Sequence, residues 1–318
     1  MEGGFVPDLQ AAAVGPPKGT TAARSRQRAG LVSAHGPSWA EGVVSTRPDS
    51  PWEGVGAGET PPEPDSELGR WARRWAVAGL LATLALAAGL TWASSLPALD
   101  TLILPIFLIL LPVLSTIQVP FVGEEDLERM SVYAGSSLTI LALGAVSLLM
   151  GLRLEDFSGL GLGPVDPATF LLWTLGLTGA GVALMEAFHR AGSRESGILK
   201  RLLPRTGRER RAFVGVSFSA GIGEELAYRG YVLVALQAAG VGPWAAAGLS
   251  SVAFGFLHSY QGGIGVVRTG FLGMGLAASF IMTGSLWPAM AAHTLIDLLG
   301  GLVLGERYSA DSPNASKA

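Results

Sequence analysis

The sequence predicts an all-α fold: a polytopic integral membrane helical bundle of about eight transmembrane helices around a polar intramembrane cavity. Three observations predict it. The chain is 49% hydrophobic and only 15% charged, where a soluble globular chain carries about 25% charged residues. Its apolar residues gather in long uncharged runs, most near the ~20 residues that a spanning helix needs. A few ionisable residues interrupt the last of those runs: Glu224, Glu225 and Arg229, then His258, then His293 and Asp297. Charge at bilayer depth is costly, so such residues are candidates for function.

Three regions follow in order. Residues 1–66 are rich in Gly, Pro, Ser and Ala, with scattered Arg and the isolated aromatics Trp39 and Trp52. That composition cannot bury enough apolar surface to offset its ordering entropy, so a disordered cytoplasmic tail is expected. It has no apolar signal-peptide core. Residues 67–306 form the expected transmembrane domain, and 307–318 a short polar C-terminal tail. Arg70, Trp71, Arg73, Arg74 and Trp75 make a basic, aromatic collar suited to a membrane interface. The apolar segments are 75–96, 102–121, 131–151, 167–188, 212–238, 243–258, 264–283 and 286–304. The second contains Pro105, Pro112 and Pro120 and is expected to kink. The sixth is short, either a span that stops partway or one that continues past His258.

Lys and Arg set the orientation. The connection 189–211 holds eight of them, including Arg190, Lys200, Arg205 and Arg211, whereas the alternate loops hold essentially only Arg153. Both termini are therefore expected in the cytoplasm, in a multi-pass protein of the cell membrane. The basic connection could also meet anionic lipid. The acidic stretch 123–129 reads as a solvated loop. In segment seven, Gly265, Thr269, Gly273 and Ala277 form a small-residue stripe suited to close packing, and Arg268 is expected to snorkel to the interface. No cysteine is present, which excludes disulfides, thiolate nucleophiles and zinc–thiolate sites. The net charge of −3 averages unlike regions. The partners expected are membrane lipids and a membrane-associated peptide or protein, with no nucleic acid.

Glu224 and Glu225 are adjacent, so on a helix they point about 100° apart and suit different roles. Glu225 and Arg229 lie one turn apart in the order that favours pairing. Glu224 is left without a local partner, with Tyr228 four residues on as a possible hydrogen-bond donor. Phe254 shares a face with His258, and His293 with Asp297; the latter resembles a base and its orienter. Counted from the segment ends, Glu224 lies roughly 18 Å deep and His293 leaves ~20 Å below it, so the two fall at similar height. A carboxylate and a neutral imidazole can hold and deprotonate water. A second imidazole can stabilise an oxyanion. Two His and two carboxylates would also suit zinc, though the His-Glu-x-x-His spacing is missing.

Glu224-Glu225-x-x-x-Arg229, Phe254-x-x-x-His258 and His293-x-x-x-Asp297 together resemble the signatures of the CPBP family, the CAAX prenyl-protease and bacteriocin-processing intramembrane glutamic endopeptidases, also called Abi. The resemblance covers residues 212–300. It implies a helical intramembrane fold with a conical cavity open to the cytoplasm. It implies no cofactor. In it Glu224 and His258 activate the attacking water, and His293 with Asp297 forms the oxyanion site. Glu225, Arg229 and Phe254 support the geometry. Family members carry Asn or Asp at the last position; an ionised Asp297 would act by orienting His293 rather than by donating. Two other readings stand beside it: a non-catalytic scaffold or bacteriocin-immunity protein of this fold, with the basic connection 189–211 and the N-terminal tail as interaction surfaces, and a proton-coupled transporter that uses the intramembrane Glu, His and Asp as relays.

Overall fold

The computed structural model describes residues 66–122, 127–193 and 195–305. The expected tails, Trp39, Trp52, Gly123–Asp126 of the acidic loop and Arg194 lie outside the described residues, except that Ser66 caps the first helix. Among the described residues the fold is wholly helical.

Helix α1 (Glu67–Ala93) starts where Ser66 accepts from the Gly69 amide. α2 runs over Ala98–Phe121, with a π-helical stretch at Ile106–Leu110 directly after Pro105. Proline removes one helical hydrogen bond, and the wider turn absorbs the defect. α3 is Arg129–Gly151. α4 is Pro167–Arg190, begun by proline at its first position and by the Asp166 cap. The Thr169 amide donates to that cap and holds the Asp166 carboxyl below its usual range. A short helix, α5, spans Gly197–Leu202.

α6 begins at Gly207 with a capping box between Thr206 and Glu209. It passes through Glu225 into a π-helical stretch, Leu226–Leu233, and ends as Val234–Ala238. α7 is Pro243–Leu257. A 3₁₀ turn, Ser259–Gln261, leads into α8, Gly262–Thr283. α8 stops at Gly284, whose φ of 65° suits the residue without a Cβ. α9 is Trp287–Leu299, extended by a π-helical stretch at Gly300–Leu304.

Among the described residues, six helices are long and apolar enough to cross a membrane: α1, α2, α3, α4, α8 with its preceding turn, and α9 with its extension. The protein is a multi-pass membrane protein. The fifth and sixth expected segments, α6 and α7, do not reach that standard. α6 carries charge at both its start and its middle, and α7 has only 15 residues. They are also the segments that bear Glu224, Glu225 and His258. The sixth segment therefore stops partway, with His258 as its cap.

The outward faces of α1, α3 and α4 expose Leu81, Leu138 and Leu172, an apolar surface suited to lipid. Inside, α6 is squeezed between α3 and α9. A Cβ on Gly144 would lie 2.6 Å from the Gly223 Cα, and one on Gly221 would lie 2.7 Å from the Met290 carbonyl oxygen. Gly221 and Gly223, just before Glu224, together with Gly144 thus let three backbones approach closely. α7 packs on α8 in the same way: a Cβ on Gly255 would meet the Val266 carbonyl oxygen at 2.6 Å.

Candidate active site

Glu225 is fully buried, and its Oε1 accepts two hydrogen bonds: from Arg229 at 2.7 Å and from Nδ1 of His293 at 2.9 Å. Arg229, also fully buried, donates with its other terminal nitrogen to the Gly273 carbonyl at 2.8 Å. Arg229 thereby ties α6 to α8, and Glu225 ties it to α9. The small-residue stripe on α8 has a use beyond packing, because bare Gly273 lets the guanidinium reach the backbone. Within the π-helical stretch, Ser250 donates to the Tyr228 carbonyl and pins α7 to α6.

His258 occupies the end of α7. Its Nδ1 bonds the Phe254 carbonyl at 2.9 Å; since a carbonyl only accepts, Nδ1 carries the hydrogen and Nε2 the lone pair. The other carbonyls of this helix end are also capped by side chains. Ser259 donates to Phe256, and Ser115 of α2 donates to Leu257 at 2.6 Å. Thr116 of α2 bonds Ser259 at 2.8 Å. A helix end leaves its last carbonyls orphaned, and here a second helix satisfies them.

Nε2 of His258 lies 3.7 Å from Oε2 of Glu224. Nε2 of His293 lies 3.9 Å from the same oxygen and 3.9 Å from Oδ2 of Asp297. Glu224 Oε2 is buried and takes no hydrogen bond from the protein. The Phe254 ring stands among these groups, with its centroid 4.5 Å from the Arg229 guanidinium carbon and 4.8 Å from the His258 ring. Glu224, Phe254, His258, His293 and Asp297 all line one cavity of about 580 Å³. Its remaining wall is largely apolar, with contributions from Leu143, Val216 and Leu276.

The structure thus brings all four candidate catalytic residues to one cavity, with Glu225 and Arg229 directly behind them. The matching depths have a structural reason. Glu224 is about 14 residues, ~21 Å, from the far end of α6, and His258 caps the 15 residues, ~22 Å, of α7. α9 itself starts inside the protein: Leu286 is fully buried and its amide donates to the Gly161 carbonyl.

Three local expectations are corrected. Tyr228 does not serve Glu224: it is fully buried, and its hydroxyl points to the Phe107 carbonyl at 3.4 Å, because the π-helical stretch turns it toward α2. Asp297 does not orient His293 through a hydrogen bond. Glu225 holds Nδ1, while Asp297 stands opposite Nε2 beyond hydrogen-bond reach. Arg268 does not snorkel: it is 5% exposed and paired with Glu195 at 2.5 Å. Sequence reading also missed Gly273, Ser115, Thr116 and Ser259. The only signal was the stripe containing Gly273, since a backbone carbonyl and hydroxyls on an apolar helix give no spacing to detect. Among the described residues no three His, Asp or Glu side chains are arranged to hold a metal ion.

Residues 209–299 match the family model described as type II CAAX prenyl endopeptidase Rce1-like. No curated protein and no solved structure matches the chain.

Proposed function

We propose that the chain is a glutamic intramembrane endopeptidase of the CPBP/CAAX-protease family, hydrolysing a peptide bond of a membrane-associated peptide or protein; the family-model match over residues 209–299 supports this reading. One observation carries this reading. Glu224 Oε2 and His258 Nε2 are both hydrogen-bond acceptors, 3.7 Å apart, on the wall of the cavity. Neither can donate to the other, whereas one water can donate a hydrogen to each. Its lone pair is then free to attack.

The water oxygen bonds to the scissile carbonyl carbon while Glu224 accepts its proton. The carbonyl π electrons move to oxygen. His293 has Nδ1 committed to Glu225 and Nε2 3.9 Å from the Glu224 oxygen; its Nε2 donates to that oxyanion when the ring carries both hydrogens. Asp297, on the Nε2 side, counters the imidazolium charge. As the oxyanion collapses, the C–N bond breaks and Glu224 returns its proton to the departing amine. Glu225, Arg229 and Phe254 position the imidazoles. The Lys and Arg of the connection 189–211 support a cytoplasmic orientation for both termini and for the cavity mouth.

The test uses purified full-length protein in lipid nanodiscs with a prenylated peptide. Glu224→Ala and His258→Ala each abolish cleavage while the protein stays folded and inserted. Unchanged turnover in Glu224→Ala would falsify the reading.

A further inference from the structure

Tyr260, two residues beyond His258, brings a polar atom to the cavity that the hydrolytic step does not use. It lies in the 3₁₀ turn that joins α7 to α8. The turn is fixed at two points. The Gln261 backbone amide donates to the His258 carbonyl at 2.9 Å, and the Ser196 hydroxyl donates to the Tyr260 carbonyl at 2.6 Å. The Tyr260 and His258 rings stand 5.9 Å apart at a tilt of 37°. Tyr260 lines the same cavity as Glu224, His258, His293 and Asp297. Glu224 of α6, Asp297 of α9 and Arg268 of α8 are charged groups within electrostatic range of its hydroxyl.

A residue that can only donate sets the direction of the hydrogen bonds around this hydroxyl. Arg268, itself paired with Glu195, donates to Oε1 of Gln261 at 3.1 Å, and Thr269 donates to the same oxygen at 3.3 Å. An arginine never accepts, so the Gln261 amide must turn its oxygen that way. Its Nε2 then faces the Tyr260 hydroxyl as a donor, at 3.4 Å. The Tyr260 oxygen accepts, and among the described residues nothing accepts its hydrogen. In a chain of hydrogen bonds, each group that accepts becomes a stronger donor to the next. The chain that starts at Arg268 therefore ends in a polarised O–H on the cavity wall.

The reaction has a use for that hydrogen. His293 Nε2 is one donor to the oxyanion in the proposed step, and an ionised Asp297 beside it can only accept. The hydroxyls of Tyr133 and Thr269, on the same wall, are already spent on the Leu202 carbonyl and on Gln261. We propose that Tyr260 is a further catalytic residue, whose hydroxyl donates to the scissile carbonyl oxygen and holds the oxyanion together with His293. This role rests on the cavity being the peptidase site. The phenol transfers no proton. It keeps its hydrogen throughout, while Glu224 carries the proton from water to the departing amine. The turn fixes the backbone and the Gln261 amide fixes the hydroxyl before substrate arrives, which is what a preorganised donor requires.

The test is steady-state cleavage of an internally quenched prenylated peptide by the full-length protein in nanodiscs. Tyr260→Phe deletes one oxygen and keeps the ring. It lowers kcat by about 10²-fold, the scale of one oxyanion donor, and leaves KM and the melting temperature unchanged. That split marks an interaction made only in the transition state, and a packing defect does not produce it. Replacing Tyr260 by difluorotyrosine, whose phenol is more acidic, gives a second reading. A phenolate cannot donate, so activity falls with rising pH in step with the growth of phenolate absorbance. Equal kcat in wild-type and Tyr260→Phe protein overturns the proposal. So does a raised KM with unchanged kcat, which makes the hydroxyl a ground-state contact. Full activity of the difluorotyrosine protein after its phenolate has formed overturns it too. Each of these leaves the peptidase reading standing where wild-type protein cleaves and Glu224→Gln does not. No cleavage by wild-type protein overturns both.

Discussion

Glu224 and Glu225 are neighbours in the chain and opposites in the structure. Glu225 faces the inside of the bundle, where Arg229 and His293 both donate to one of its oxygens at 2.9 Å or less. Glu224 faces the cavity, where its nearest polar groups stand at 3.7 and 3.9 Å and its Oε2 takes no hydrogen bond. The contrast shows how a membrane protein can hold one carboxylate as a fastener and leave the next one available. Burying a charge is tolerable when donors are supplied. Reactivity requires that some be withheld.

The comparison is broken most severely by exchanging the roles. Glu224→Gln removes the base and is expected to reduce cleavage by about 10²–10⁴-fold, the range of general-base catalysis, with no loss of thermal stability in detergent. Glu225→Gln is expected to do the reverse first. It leaves Arg229 buried without its counter-charge, which costs about 3–5 kcal/mol, read as a lowered melting temperature and weaker insertion. Equal melting temperatures for the two variants would dissolve the distinction.

Smaller changes sharpen it. Gly221→Ala pushes a methyl group toward the Met290 carbonyl. It should destabilise the protein by about 1–3 kcal/mol, as overpacking does, and lower activity in step. Thr116→Val removes the hydroxyl that meets Ser259 and should cost about 1 kcal/mol. Activity should fall more than stability there, because His258 loses the support of its helix end. Chelators should leave turnover unchanged in every variant that retains it.

Much of this was legible in the sequence. Hydropathy located six of the spanning helices because lipid-facing residues must be apolar whatever else they do. The Glu225–Arg229 spacing announced its pairing, and rare charges in an apolar chain marked Glu224, His258, His293 and Asp297. What was not legible depends on contacts between helices. The group that orients His293 was read as Asp297 because both lie on one helix, whereas Glu225 reaches it from another. Arg268 looked like an interfacial anchor because Glu195, its partner, is far away in sequence. The turning of Tyr228 away from Glu224 follows from a π-helical stretch, which leaves no mark in residue type.

The shortness of α7 has an electrical consequence. His258 caps a helix of 15 residues, whose ~22 Å rise is shorter than the ~30 Å of a hydrocarbon layer. If the cavity lined by Glu224 and His258 admits water from one side only, the rest of the bundle remains as dielectric thickness behind it. On the proposed peptidase reading, hydrolysis would then open no conductive path across the membrane, and vesicles containing the protein should hold a potassium or proton gradient while substrate is being cut.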